Sequence, residues 1–298
     1  MRKSVLLFFL LWGCLLPGCK KAAPDEGLFE YGRMQGVLDN DDIDEASGLV
    51  ASRINPGMLW THNDSGDKPR IFLIDSLGRY TATGWLNGIT NRDWEDIALG
   101  GGPLPDKTYL YIAEIGDNLA RHPHKVIYRI EEPLFTGDTV FHIDEVDSIR
   151  FVLPDGARDA EALMIDPQTK DLYIFSKREP AVNLYRLPYP QSTTEIITAE
   201  KVLEKLPFTL IVAADWSADG KEILIKNYQQ VYYWQREQHE PVTDVLRRSP
   251  GILPYHEEPQ GESITFAVNG NGYYTLSERA KGVKPALMFY VRSVPHPQ

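Results

Sequence analysis

The chain has 298 residues, a length that suits one large domain or two small ones. It carries 42 Asp and Glu residues against 31 Lys and Arg residues, for a formal charge of −11. Removing Arg2 and Lys3 with the leader described below leaves 29 basic residues and a charge of −13. This acidic excess argues against nucleic acid as a partner and favours cations or cationic molecules.

The first 19 residues have the pattern of a bacterial lipoprotein signal peptide. Arg2 and Lys3 precede an apolar run over 5–16 that is too short to span a bilayer, and Leu-Pro-Gly-Cys over 16–19 resembles a lipobox. We therefore predict lipidation at Cys19, a short polar linker over 20–27, and attachment to a membrane of the cell envelope through the lipid only. The alternative is ordinary cleavage near Gly18 and release of the protein.

The cysteine count limits the chemistry of the mature protein. Cys14 and Cys19 are the only cysteines, and both belong to the leader and its processing site. The remaining domain therefore has no intrachain disulfide, no thiol nucleophile and no cysteine-ligated zinc. It must be stabilised by its core alone, and its length is ample for that.

Residues 28–298 are predicted to form a single all-β domain, a five-bladed β-propeller. Short β-branched and aromatic runs alternate with turn residues, and one strand type recurs with an acid followed by apolar residues. The spacings between these acids are 50, 66, 54 and 47 residues, which is typical of propeller blades. The acids that begin the five copies are Glu45, Glu95, Glu161, Asp215 and Glu262.

The chain ends after the third strand of the fifth copy. We expect 28–38 to supply the missing fourth strand and so close the ring, because closure leaves no exposed strand edge. In the fourth copy we expect the outer strand near 242–246. The alternative architecture has six blades, the sixth lying in the long interval between Glu95 and Glu161.

Propeller geometry predicts where the site lies. In each blade the inner strand begins, and the second strand ends, on the same face. Five carboxylates around one axis repel each other, so they must bind a cation, pair with basic residues or take up protons. We predict a calcium or magnesium site formed by Glu45, Glu95, Glu161, Asp215 and Glu262, because carboxylates without cysteine suit these ions. Alternatively, the acids line a hydrated channel or accept backbone hydrogen bonds.

The ends of the second strands complete the predicted site. The residues expected to contact a ligand are His62, Asn63, Asp64, Glu114, Lys177 and Arg178. The basic pair either neutralises the acids or binds an anion. The chain contains no G-x-S-x-G, H-E-x-x-H, P-loop or G-x-G-x-x-G motif, so no familiar catalytic signature assigns an activity.

Three strand beginnings carry a family resemblance: Glu-Ala-Ser-Gly-Leu over 45–49, Trp-Glu-Asp-Ile-Ala over 94–98 and Ala-Glu-Ala-Leu over 160–163. They resemble the SdiA-regulated family of bacterial propellers, which implies a fold more than an activity. The layout is also similar to calcium-dependent apyrases, five-bladed nucleotidases with a channel calcium, at 59–67, at 94–98 and at Glu161 with Lys177 and Arg178. The fuller motifs of that second family are absent here.

Two functions follow as expectations. The first is a membrane-tethered, exported propeller that binds a divalent cation and a small ligand or protein partner at one face. The second is a metal-dependent hydrolase of a phosphate ester or nucleotide, in which Lys177 and Arg178 hold the anion and Glu161 acts as general base.

Overall fold

The computed structural model describes residues 27–280 and 282–293. The predicted leader, Cys19 and the linker up to residue 26 lie outside the described residues. Among the residues described, no helix has the length and apolarity needed to cross a membrane.

The regular secondary structure of the described chain is β-strand except for one short helix, α1 (Val242–Arg247). In chain order the strands are β1 (Arg33–Val37), β2 (Ala46–Ala51), β3 (Met58–Asn63), β4 (Arg70–Asp75), β5 (Tyr80–Leu86), β6 (Trp94–Gly101), β7 (Thr108–Glu114), β8 (His124–Glu131), β9 (Val140–Ile143), β10 (Asp147–Val152), β11 (Ala160–Ile165), β12 (Leu172–Ser176), β13 (Val182–Leu187), β14 (Ile197–Thr198), β15 (Glu200–Leu206), β16 (Ile211–Trp216), β17 (Glu222–Asn227), β18 (Val231–Gln235), β19 (Gly251–Leu253), β20 (Gly261–Phe266), β21 (Gly272–Ser277) and β22 (Ala286–Val291).

These strands form five separate sheets, each a propeller blade. The sheets are β2-β3-β4-β5-β9, β6-β7-β8-β10-β14, β11-β12-β13-β15, β16-β17-β18-β19 and β20-β21-β22-β1, numbered here as blades 1 to 5. The inner strands β2, β6, β11, β16 and β20 each contact their two neighbours and so form a closed ring. The predicted five-bladed all-β propeller is therefore confirmed.

The ring is closed by the N-terminal segment. β1 pairs antiparallel with β22, and Phe29 forms a further bridge to Arg292. Phe29 is buried against the rings of Tyr233 and Tyr273, and Leu38 packs in the core between blades 5 and 1. The predicted strand 28–38 thus occupies the outer edge of blade 5, as the closure argument required.

The core consists of apolar layers between adjacent blades, because each sheet buries both faces against its neighbours. Between blades 2 and 3, for example, Tyr111 and Ile127 pack against Leu163 and Ile174. All six residues of β2 and of β11 are buried. The sequences of these strands are therefore nearly continuous apolar runs, in which an acidic residue is conspicuous.

The six-bladed alternative is excluded, and one detail of the prediction is corrected. The long interval between Glu95 and Glu161 holds no sixth blade; its extra residues form a loop and β9, which pairs parallel with β5 on the outside of blade 1. The segment 242–246 is helical, because α1 packs its Val242, Val245 and Leu246 into the core between blades 3 and 4. The fourth strand of blade 4 is instead β19.

Candidate functional site

The propeller has two faces. On the upper face, defined by Asn63, Glu114, Ser176, Asn227 and Ser277, the second strands end and the inner strands begin. On the lower face the inner strands end, at Ala51, Gly101, Ile165, Trp216 and Phe266.

A bulge near the beginning of every inner strand decides which side chains reach the upper face. The register between inner and second strand shifts by one residue at this point in all five blades. The extra residue of a bulge is unpaired, and its side chain is re-aimed. The five bulge residues are Ser47, Glu95, Glu161, Val212 and Glu262.

Carboxylates from four blades meet around these bulges. Three groups have oxygen atoms that all lie within 4.8 Å of one another: Asp64 with Asp93 and Glu95, Asp64 with Glu262 and Glu278, and Glu95 with Asp159 and Glu161. Because Asp64 and Glu95 each belong to two groups, the seven side chains form one continuous arc. We call this arc the carboxylate cluster.

One ammonium group stands inside the carboxylate cluster. Lys177 follows β12, and its Nζ forms an ion pair with Glu161 and lies 4.0 Å from Glu262. The ring of Tyr228 lies 5.3 Å from the same Nζ, and its hydroxyl donates a hydrogen bond to Glu262. Arg178 contacts the rim, where its Nε is 2.5 Å from Asp159. Both members of the basic pair therefore neutralise acids.

Burial and mutual repulsion shift the titration of the cluster. Desolvation raises the pKa of Asp64 to about 7, and nearby Glu262 and Asp93 add to the effect. Desolvation also raises the pKa of Glu161 to about 8, although the nearby Lys177 acts to lower it. Desolvation raises the pKa of Glu278 to about 9. The pKa of Glu95 is likewise well above its usual range. At neutral pH some of these carboxyl groups are therefore protonated and uncharged.

Hydrogen bonds between inner strands fix the cluster in place. Ser47 donates to the carbonyl of Glu95 at 2.6 Å, and Ser263 donates to the carbonyl of Ser47 at 2.7 Å. On the axis, the buried Asp96 accepts from the backbone N–H groups of Leu163 at 2.9 Å and Ala214 at 3.4 Å. These bonds join the five blades directly beneath the carboxylates, so the arc rests on a rigid support.

Two of the five acids predicted to bind metal are placed differently. Asp215 is three residues beyond the bulge of blade 4 and lies toward the lower face, where it accepts hydrogen bonds from Thr265 and the N–H of Phe266. Glu45 precedes its bulge by two residues and is exposed at the rim. These two acids are not bulge residues, whereas Glu95, Glu161 and Glu262 are. Glu95, Glu161 and Glu262 do converge.

Three of the predicted ligand contacts are engaged within the fold. His62 is fully buried against the edge of Trp94, and desolvation lowers its pKa to about 4. The amide of Asn63 donates to the Asp42 carbonyl and to Asp67. Buried Glu114 accepts from the N–H of Arg92 and the hydroxyl of Tyr128. Asn63 and Glu114 therefore contact loops of the upper rim and His62 lies in the core, and contact of these three side chains with a ligand stays a prediction.

Sequence reasoning missed Asp93 and Asp159 as members of the cluster. Each lies two residues before a bulge glutamate, so blades 2 and 3 share the pattern Asp-x-Glu at the beginning of the inner strand. Glu45 occupies the same position in blade 1, before Ser47. This repeated Asp-x-Glu was the available signal. Glu278 directly follows the second strand of blade 5, and its approach to Glu262 depends on the tertiary fold.

Comparison with known proteins shows a similarity of fold. No family model matches the chain, and no curated protein matches it either. Among solved structures, it is similar to the PQQ-bound form of aldose sugar dehydrogenase from Streptomyces coelicolor, with a TM-score of 0.53 and 12% identity over 91% of this chain and 100% of that one. At this identity the likeness concerns the fold alone.

Proposed function

We propose that this protein is an exported, lipid-anchored propeller that binds a divalent cation, calcium or magnesium, at its upper face. The observation that carries the proposal is the carboxylate cluster, in which acids from four blades form three overlapping groups, each with its oxygens within 4.8 Å of one another. Calcium takes six to eight oxygen ligands and magnesium six. The cluster supplies carboxylate oxygens, and the ammonium group of Lys177 lies beside them.

Electrostatics supports a cation here over a purely structural role. Packing seven carboxylates on a rigid frame is costly, and Lys177, Arg178 and Arg92 together offset only part of that charge. A divalent ion would relieve the remaining repulsion. In blade 4 the bulge residue is Val212 instead of an acid, and Lys177 and Tyr228 stand between Glu161 and Glu262 there. A ligand or protein partner would complete the coordination of the ion.

A melting experiment tests the proposal. Binding to the native state alone stabilises it, by about 2.7 kcal/mol when free cation is a hundred times its dissociation constant. We expect the melting temperature to rise when calcium or magnesium replaces the chelator. Glu95→Gln should abolish the rise, and Asp215→Asn, a buried acid at the other end of the channel, should preserve it. Equal melting temperatures with chelator and with either cation would contradict the proposal.

The three strand beginnings that resemble the SdiA-regulated family support a proposal of membership in it. Glu-Ala-Ser-Gly-Leu, Trp-Glu-Asp-Ile-Ala and Ala-Glu-Ala-Leu all stand at the beginning of inner strands and contain the bulge residues Ser47, Glu95 and Glu161. In this interpretation the shared motif serves to place carboxylates on the upper face.

A metal-dependent hydrolase is the second candidate, and one observation favours it. The pKa of Glu161 is raised to about 8 beside Lys177, which is suitable for a general base near neutral pH. The test is turnover of phosphate esters and nucleotides with calcium or magnesium. Turnover that vanishes in Lys177→Ala/Arg178→Ala while the fold survives would establish the enzyme. Lost stability with no turnover in the unmodified protein would leave the binding role.

A further inference from the structure

Arg53 is an exception among the arginines of the fold. It lies in the loop between β2 and β3 on the lower face, and its side chain is half-buried. Its guanidinium donates a hydrogen bond of 3.3 Å to the carbonyl of Leu99 and has no carboxylate oxygen within 4.0 Å among the described residues. All other described arginines that are not exposed do have such an oxygen: Arg70, Arg92, Arg129, Arg158, Arg186, Arg236, Arg279 and Arg292.

A half-buried arginine without an ion pair is costly. Desolvation lowers the pKa of Arg53, because the surrounding protein disfavours its charge. Asp215 and Glu132 attract the guanidinium from a greater distance, and both carboxylates are already engaged. Asp215 accepts from the N–H of Phe266, and Glu132 accepts from the backbone N–H of Arg53 itself. The guanidinium has five N–H donors, so several are left for a partner that the described chain does not supply.

A cavity of about 330 Å³ opens beside this guanidinium, on the lower face between blades 1 and 5. We call it the Arg53 cavity. Arg53 also lines a narrow space of about 20 Å³ at the lower mouth of the channel, next to Asp215, and so stands where cavity and channel meet. Apolar side chains form most of the cavity wall, including Pro56, Met58, Leu59, Val268 and Tyr274.

Hydrogen bonds hold both walls of the Arg53 cavity in place. On blade 1, Glu132 accepts from the Ser52 hydroxyl at 2.6 Å and from the N–H of Arg53 at 3.1 Å, which ties the loop 52–57 to blade 2. On blade 5, the N–H of Ala267 donates to the carbonyl of Gly272 at 2.9 Å and closes the turn after β20. A cavity with fixed walls loses little further freedom when a ligand binds.

We propose that the Arg53 cavity binds a small carboxylic acid with an apolar body, an aliphatic or aryl acid whose carboxylate pairs with the Arg53 guanidinium. The fork of an arginine matches the two oxygens of a carboxylate, and the apolar wall accepts the body of the molecule. The volume is near the lower limit of small-molecule sites, which range over about 300–1,000 Å³. This site is at the opposite end of the channel from the carboxylate cluster and goes beyond the proposed function.

Phenylacetate is the probe, and calorimetry measures its affinity. Phenylacetamide has the same apolar body without the charge, and acetate has the charge without the body. The location of binding is read from the isotope-labelled methyl groups of the methionines. Met58 lines the cavity, whereas Met164 packs in the core between blades 3 and 4 and Met34 is exposed on β1. The protein is dialysed free of cations and of chelator, since chelators are themselves carboxylates.

We expect phenylacetate to shift the methyl signal of Met58, to leave those of Met164 and Met34 in place, and to bind at least about tenfold more tightly than either control compound. Arg53→Met should reduce its affinity to that of phenylacetamide. Arg53→Lys keeps the charge without the fork and should weaken binding by a smaller factor, which preserves the test if the methionine variant does not fold. The matched control is Arg247→Met, an exposed arginine at the end of α1, which should bind phenylacetate as the unmodified protein does.

Equal affinities for phenylacetate and phenylacetamide would overturn the proposal, as would an unchanged affinity in Arg53→Met or an unperturbed Met58 signal. Stability gives a separate readout. Because the guanidinium has no ion pair, Arg53→Met should not lower the melting temperature of the ligand-free protein. A lowered melting temperature, with no binding of phenylacetate to the unmodified protein, would show that Arg53 serves only to hold the lower loops. All these measurements use cation-free protein, so their outcome is independent of whether the upper face binds calcium or magnesium.

Discussion

Removing one negative charge from the carboxylate cluster should stabilise the cation-free protein. In the fold the pKa of Asp64 is about 7, against 3.8 ordinarily, because the side chain is desolvated near Glu262 and Asp93. At about 1.4 kcal/mol per pH unit, ionising this carboxyl in the native state costs up to about 4 kcal/mol. Partial exposure reduces the realised value, and we expect Asp64→Asn to gain about 2–4 kcal/mol above pH 8.

The sign of the pH dependence follows from proton binding. Between about pH 4 and pH 7 the unfolded chain has lost the Asp64 proton and the native state still holds it, so the free energy of unfolding falls as pH rises. Asp64→Asn lacks this decline. The two proteins should therefore be equally stable near pH 4, diverge up to about pH 7, and differ by a constant amount above it.

Urea unfolding at pH 4, 6 and 8 in the presence of chelator measures this difference. The matched control is Asp138→Asn on an exposed loop, which should unfold like the unmodified protein at every pH. With saturating calcium the order should reverse, since the variant has lost a ligand. An Asp64→Asn variant that is no more stable than the unmodified protein at pH 8 with chelator would refute the claim that repulsion among the carboxylates destabilises the cation-free fold.

Four further results are expected. Lys177→Met should lose about 3–5 kcal/mol of stability in chelator, because buried Glu161 is left unpaired. The same variant should bind calcium more tightly than the unmodified protein, and weaker binding in calorimetry would contradict this. Calcium added at pH 7 in weak buffer should release protons, measured with a pH indicator, because acids with raised pKa values must ionise to bind it. Asp215→Asn should leave the calcium affinity unchanged, and a fall would show that the two ends of the channel are coupled. Phe29→Ala should cost about 3–5 kcal/mol in urea unfolding, whereas Met34→Ala, exposed on the same segment, should cost little; equal losses would refute the closure of the ring by this packing.

Much of the architecture could be read from the sequence because strands, turns and blade repeats are local patterns. The five acid-started copies predicted from the sequence correspond to the five inner strands β2, β6, β11, β16 and β20. The closing strand was predicted by a physical requirement, the pairing of a free edge. The helix α1 was missed because the segment 242–246 is short, and periodicity cannot separate helix from strand over so few residues.

The membership of the carboxylate cluster depended on the tertiary structure. The sequence by itself determined that acids recur where inner strands begin, and this was enough to find Glu95, Glu161 and Glu262. It could not reveal where the bulge falls in each copy: in blade 1 the bulge residue is Ser47, two residues after Glu45, and in blade 4 it is Val212, three residues before Asp215. Because the extra residue of a bulge is unpaired and its side chain is re-aimed, the position of the bulge decides which side chain reaches the upper face. Only the packed ring brought Asp64, Asp93, Asp159 and Glu278 to the same arc, since their neighbours belong to other blades or to rim loops.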